Sequence, residues 1–187
     1  MQKEDEMNYK EVQIKNEQYL IARRPKEEDA EDIIRYLNIV GGESDNLLFG
    51  ENEFNLTVDE EKEYIRKLNS DNNTFMILAF VEKSLVSIAQ ISRINQKRIA
   101  HNSELAISVK KEYWRQGIGS IMMNELIQFA KEQGEIKNIS LGVKASNSKA
   151  IKMYDKFGFQ KVGVHKNYFN INGEFDDKIL MDLYIEE

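Results

Sequence analysis

The chain has 187 residues, 41% of them hydrophobic and 31% charged, with a formal net charge of −6. Such a length suits one globular domain, and no apolar run approaches the roughly 18 residues that a membrane span requires. The absence of cysteine excludes disulfides, thiolate metal sites and a cysteine nucleophile, and suits a reducing cytoplasm.

The chain opens on MQKEDEMNYKEVQ, polar throughout and without the apolar stretch of a signal peptide. Residues 1–16 read as a flexible N-terminal segment, which leaves 17–187 as one domain. EQYLIAR (17–23) is a predicted strand, and Pro25 marks the turn into a helix carrying Ala30, Ile33, Ile34 and Leu37 at helical spacing. GGESDNLLFGENEFNL (41–56) reads as a long loop. Thr57 and Glu60 then form a capping-box pattern that opens a second helix, with Val58, Tyr64, Ile65 and Leu68 facing inward.

Three strands follow: TFMILAFVE (74–82), SLVSIAQISRI (84–94) after a tight turn at Glu82-Lys83, and SELAISV (103–109). In the last of these Leu105, Ile107 and Val109 share one face and Glu104, Ala106 and Ser108 the other. A third helix buries Ile118, Ile121, Met122, Leu126, Phe129 and Ala130 and stops at Gly134. NISLGV (138–143) is a strand, Ser146 or Asn147 caps a fourth helix lined by Ala150, Ile151, Tyr154 and Phe157, and Asn172-Gly173 joins two final strands as a hairpin. The order β-α-α-β-β-β-α-β-α-β-β predicts an α/β (α+β) fold, a mixed sheet with helices on both faces.

Acids and bases mix along the chain, so no basic stripe marks a nucleic-acid footprint. His101 and His165, the two histidines, lack H-E-x-x-H spacing, and no metal site is expected. The stretch that carries most information is EYWRQGIGS (112–120), where Gly117 and Gly119 precede an amphipathic helix. The first turn of a helix presents unpartnered N–H groups and the positive end of the helix dipole, which suits a phosphate. The pattern is neither a P-loop nor a dinucleotide fingerprint. Taken alone it reads first as a helix start that needs a tight turn.

A second motif follows at Asn147-Ser-Lys-Ala150-Ile-Lys-Met-Tyr154-Asp-Lys-Phe-Gly158-Phe159. Together the two stretches resemble the GNAT family of N-acetyltransferases, whose pattern is a strand, a Q/R-x-x-G-x-G/A pyrophosphate loop, a helix, a strand, then N-x-x-A-x-x-x-Y-x-x-x-G-F. The resemblance covers about residues 73–185. Trp114 stands where that loop usually has Gln or Arg, and Arg115 follows one place later.

The resemblance implies the family's acyl-CoA N-acyltransferase fold, with a mostly antiparallel central sheet, and transfer of an acetyl group from acetyl-CoA to an amine. It implies that the backbone from Gln116 through Gly117, Ile118 and Gly119 to Ser120 cradles the CoA pyrophosphate, with Arg115 beside it. Ile107, Ser108 and Val109 would line the acyl arm, where a splayed strand frees N–H groups that polarise the thioester carbonyl. Glu104 is the candidate base, or else an ordinary strand glutamate. Tyr154 is the candidate acid for the leaving thiolate and a packing residue at once, and Asn147 bonds pantetheine or caps the helix.

No G-x-S-x-G elbow supports a serine nucleophile, so direct transfer in a ternary complex is the simpler mechanism. The acids Glu43, Asp45, Glu51 and Glu53 beside Phe49 and Phe54 would suit a cationic acceptor: a polyamine, an aminoglycoside, an amino acid or a peptide N-terminus. The alternative reading is a non-catalytic acyl-CoA-binding sensor or scaffold of the same fold. A homodimer in the cytoplasm, with no nucleic-acid or membrane partner, completes the expectation.

Overall fold

A computed structural model describes residues 9–185. Its strands are β1 (Tyr9–Gln13), β2 (Tyr19–Arg23), β3 (Thr74–Val81), β4 (Ser84–Arg93), β5 (Asn102–Val109), β6 (Asn138–Lys144), β7 (Gln160–Ile171) and β8 (Glu174–Tyr184). Its helices are α1 (Ala30–Glu43), α2 (Val58–Ser70), α3 (Ile118–Gln133) and α4 (Ser148–Lys156). The strands form one sheet in the order β1-β2-β3-β4-β5-β6-β8-β7. Every neighbouring pair is antiparallel except β5 and β6. The expected mixed, mostly antiparallel sheet is therefore present.

The turn chemistry explains the hairpins. Glu82 and Lys83 both take positive φ, 49° and 69°, and Asn172 and Gly173 take 53° and 91°. Two consecutive left-handed residues match the twist of an antiparallel pair. At the start of α2 the Thr57 hydroxyl accepts from the Glu60 N–H (3.2 Å) and the Glu60 carboxylate from the Thr57 N–H (2.8 Å).

The structure departs from the sequence reading in four places. β1 lies inside the segment read as flexible; it pairs with β2, Lys10 meets Glu125 of α3, and Ile14 tucks into the core. Residues 1–8 lie outside the described residues. α1 continues through Gly41 and Gly42 to Glu43, where a loop was expected. Gly41 serves close packing, since a Cβ there would stand 2.2 Å from the Gly50 carbonyl oxygen. In α2 Ile65 and Leu68 are buried as expected, but Val58 and Tyr64 are exposed and Glu61 (2% exposed) takes the inward position. Residues 61, 65 and 68 form the centre of the buried stripe, and 64 lies at its edge. In α3 Met123 is fully buried beside the expected stripe.

Two hydrophobic clusters flank the sheet. One packs α3 and α4 against the inward residues of β3, β4, β5, β6 and β8, among them Leu105, Ile139, Leu141 and Met181. The other packs α1 and α2 against Ile21, Met76, Leu78, Phe80, Leu85 and Ile88. The second cluster takes no residue from β5, β6 or β8. That face of the sheet is helix-covered over β2–β4 and uncovered beyond, which leaves room for a site.

Candidate active site

β5 and β6 pair over three positions only, Asn102↔Asn138, Ser103↔Ile139 and Glu104↔Ser140. β5 nevertheless continues along β4 to Val109, and β6 continues along β8 to Lys144. The two strands therefore part beyond Glu104. The direction of the freed groups follows from the ladder. The Ile94 N–H donates to the Asn102 carbonyl and the Lys110 N–H to the Val86 carbonyl, each at 2.9 Å. Even-numbered residues of β5 thus bond β4, and alternation turns the N–H groups of Ile107 and Val109 toward the opening.

A cleft of about 1360 Å³ passes through this opening. On one side it reaches the starts of α3 and α4; on the other it spreads over the uncovered face of the sheet. Glu104, Ile107, Ser108, Val109, Arg115, Gly117, Ile118, Gly119, Ser120, Asn147 and Tyr154 all line it. Gln116 stands off the cleft wall, its carbonyl accepting from the Lys15 N–H (3.4 Å). The Ile118 side chain is buried in the core, so only its backbone is available to the cleft.

The glycine turn has a backbone explanation. Arg115 and Gly117 take φ of 66° and 92°, and α3 begins at Ile118. The Gly117 carbonyl accepts from the N–H groups of Ser120 (3.0 Å) and Ile121 (3.1 Å). The N–H groups of Ile118 and Gly119 belong to the first turn and have no helical partner. Gly119 lets α4 approach, since a Cβ there would stand 3.2 Å from Met153 Sδ.

Tyr154 is 8% exposed and its ring tilts against Phe159 at 5.8 Å. Its hydroxyl has no hydrogen-bond partner among the described residues, and burial pushes the phenol up to about 12. Glu104 is exposed at the vertex of the opening and likewise has no ion pair or side-chain hydrogen bond there. The Asn147 side chain accepts from the Ala150 N–H (3.2 Å), so its oxygen caps α4. The Ser108 hydroxyl shares a 2.9 Å hydrogen bond with Tyr36 of α1.

Two of the four acids read as acceptor ligands are engaged by backbone N–H groups. Glu43 accepts from the Lys111 N–H (2.7 Å) and Glu53 from the Gly50 N–H (2.9 Å), while Phe49 packs on the α1–α2 cluster. The uncovered face brings in residues the sequence reading missed: Gln90, Ser92, Ser140 and Asp182 join Glu104 as lining groups. Their alternation marks them as a polar face, but only the register of β4, β5, β6 and β8 sets them side by side. No group of three or more His, Cys, Asp or Glu able to hold a metal occurs among the described residues. No helix there is long and apolar enough to cross a membrane.

Comparison with known proteins places this geometry. Residues 45–159 match the model of the acetyltransferase (GNAT) family. An L-amino acid N-acetyltransferase of Escherichia coli is 30% identical over 105 residues, 56% of this chain and 65% of that protein. The ribosomal protein bS18-alanine N-acetyltransferase of Escherichia coli is 34% identical over 79 residues, 42% of this chain and 53% of that protein. The chain thus spans between half and two thirds of the length of these curated relatives. A GNAT-family acetyltransferase from Streptococcus pneumoniae has 30% identity and a TM-score of 0.85, covering 89% of this chain and 99% of that one. A Salmonella typhimurium protein crystallised with its cofactor acetyl-CoA shares the fold at a TM-score of 0.77 and 14% identity, covering 90% of this chain and 95% of that one. With more than half of its length matched by the family model, the chain belongs to the acetyltransferase (GNAT) family.

Proposed function

We propose that the protein is an acetyl-CoA-dependent N-acetyltransferase that acts on a primary amine by direct transfer. The observation that carries this reading is the coincidence in one cleft of the β5–β6 opening, the glycine turn before α3 and the Tyr154 hydroxyl. Acetyl-CoA supplies the acetyl group as a thioester.

The chain's own groups fit that substrate. The first-turn N–H groups of α3, with the positive end of its dipole, bind a pyrophosphate. Arg115 is exposed and unpaired among the described residues and adds charge there. The Val109 N–H, held on the free edge of β5, donates to the thioester oxygen as charge develops on it. Ile107 and Val109 pack against the core and line the path of the acyl arm. Asn147 keeps its amide N–H groups for pantetheine.

An alkyl ammonium has a reference pKa of about 10.4 and must lose a proton before attack. Glu104, unpaired at the vertex, accepts that proton directly or through water. The amine nitrogen then bonds the acyl carbon and the carbon–sulfur bond breaks. Tyr154 passes its proton to the departing sulfur, and the new amide nitrogen sheds its second proton, which restores the phenol. With its phenol near 12, Tyr154 stays protonated across the working range. Transfer to a free thiolate, reference pKa about 8.5, would be uphill. The burial that raises the phenol also raises the basicity of a thiolate beside it, which narrows that gap.

The acceptor is an α-amino group of an amino acid or protein N-terminus, or a polyamine or aminoglycoside amine. The names of the two Escherichia coli relatives support the first class. The test is release of CoA thiol from acetyl-CoA across a panel of amino acids, short peptides, polyamines and aminoglycosides. Turnover with one of them is expected; CoA binding without turnover on any would overturn the assignment in favour of a sensor or scaffold.

A further inference from the structure

The last residues of β5 have lost β6 yet carry the N–H that faces the acyl group. A strand edge without its neighbour is ordinarily a place of local opening. Here three side chains hold it. Ser87, fully buried on β4, donates its hydroxyl to the Ser108 carbonyl at 2.7 Å. That carbonyl belongs to the same peptide group as the Val109 N–H. Tyr36, 1% exposed on α1, bonds the Ser108 hydroxyl. Trp114 donates its indole N–H to the Val109 carbonyl at 2.7 Å.

We infer that Ser87, Tyr36 and Trp114 are positioning residues that clamp the Ser108–Val109 peptide so that its N–H serves as a fixed donor to the thioester oxygen. The inference rests on the acetyl-transfer reading above. Two physical effects follow from the geometry. A hydrogen bond into a peptide carbonyl polarises the amide on its other side, so the Ser87 hydroxyl strengthens the Val109 N–H as a donor. The Trp114 bond occupies the Val109 carbonyl, which otherwise presents negative charge to the opening beside that donor. That bond draws the Val109 carbonyl toward Trp114 and weakens it as an acceptor beside the donor. Preorganisation of this kind removes the reorganisation that a loose donor would undergo as charge develops. It also gives Trp114 a use at a position where the family loop usually has Gln or Arg: the side chain turns back to β5.

The test uses Ser87→Ala, Tyr36→Phe and Trp114→Phe in the full chain, with Ser87→Thr as the variant that keeps the hydroxyl. Removing an oxyanion donor outright costs roughly 10²–10³ in kcat, so loosening one is expected to cost about tenfold. Each variant should lower kcat by about that factor while CoA affinity, by calorimetry, changes less than twofold. Ser87→Thr should recover most of the loss. The Val109 amide proton, followed by NMR, should move downfield on adding acetyl-CoA, and less so in Ser87→Ala. Unchanged kcat and an unchanged Val109 shift in all variants would overturn the clamp, as would parallel losses of kcat, CoA affinity and melting temperature. Absence of turnover in the wild-type protein sinks the transfer reading instead, and the Val109 titration still decides the clamp.

Discussion

The two faces of the sheet build the two halves of the cleft by different means. On the α3–α4 face, main-chain groups dominate: the first turn of α3, the free edge of β5, and glycines that permit the turn and the approach of α4. On the other face, α1 reaches β5 only through the Tyr36–Ser108 hydrogen bond, and side chains from four strands make the floor. The first half offers a fixed array of donors, suited to one invariant ligand. The second is a polar surface whose character can change residue by residue, suited to an acceptor. On the proposed reading, cosubstrate binding resides in backbone and acceptor choice in side chains.

The largest expected effect lies where the halves meet. Tyr154→Phe should lower kcat by roughly 10²–10⁴, the range for losing a general acid, with little change in the KM for either substrate. If Tyr154 serves the leaving sulfur as proposed, the loss should be the same for every acceptor; steady-state kinetics with two unlike amines checks this. Glu104→Gln should cost about 10² at pH 7 with an alkyl amine. Here the deficit should depend on the acceptor. It should shrink as pH rises toward the amine's own pKa, about 10.4, because free amine then no longer needs a base. A pH-independent deficit would place Glu104 outside proton transfer.

Gly117→Ala tests the backbone half. A left-handed residue with a Cβ costs about 1–2 kcal/mol. If the turn relaxes to avoid that strain, CoA binding should weaken by about tenfold, equally for all acceptors. Unchanged affinity in calorimetry would show that the turn does not hold the pyrophosphate.

The smallest effect belongs to the helix layer beside the acceptor half. Burial raises the Glu61 carboxyl above its ordinary value, so the fold prefers the protonated form. The stability tied to this group is full below the unfolded carboxyl pKa and is lost as pH rises through the folded value. Glu61→Gln should therefore be near neutral at pH 4 and stabilising by under about 1 kcal/mol at pH 7, measured by urea unfolding.

Much of the fold was legible because its signals are local. The Thr57–Glu60 box, the Asn172-Gly173 turn and the inward stripe of α3 each involve residues a few positions apart. The same holds for the glycine turn and the Asn147–Tyr154 spacing, which is why residues lining that half of the cleft could be named in advance. The exceptions were contacts between distant segments. Gly41 and Gly42 read as loop residues, yet Gly50 packs on the first of them and the helix continues. Glu61 is buried because of which stripe of α2 meets the sheet.

From the sequence alone come the order of strands and helices, the turns between them and the two motifs that resemble the GNAT family, since neighbouring residues dictate backbone conformation and face. Only the tertiary structure decided that β5 and β6 part after Glu104 and that their outer face stays bare. It alone brought Ser87, Tyr36 and Trp114 together on one short stretch of backbone. Those outcomes depend on register and packing between segments far apart in the chain, where local propensity carries no information.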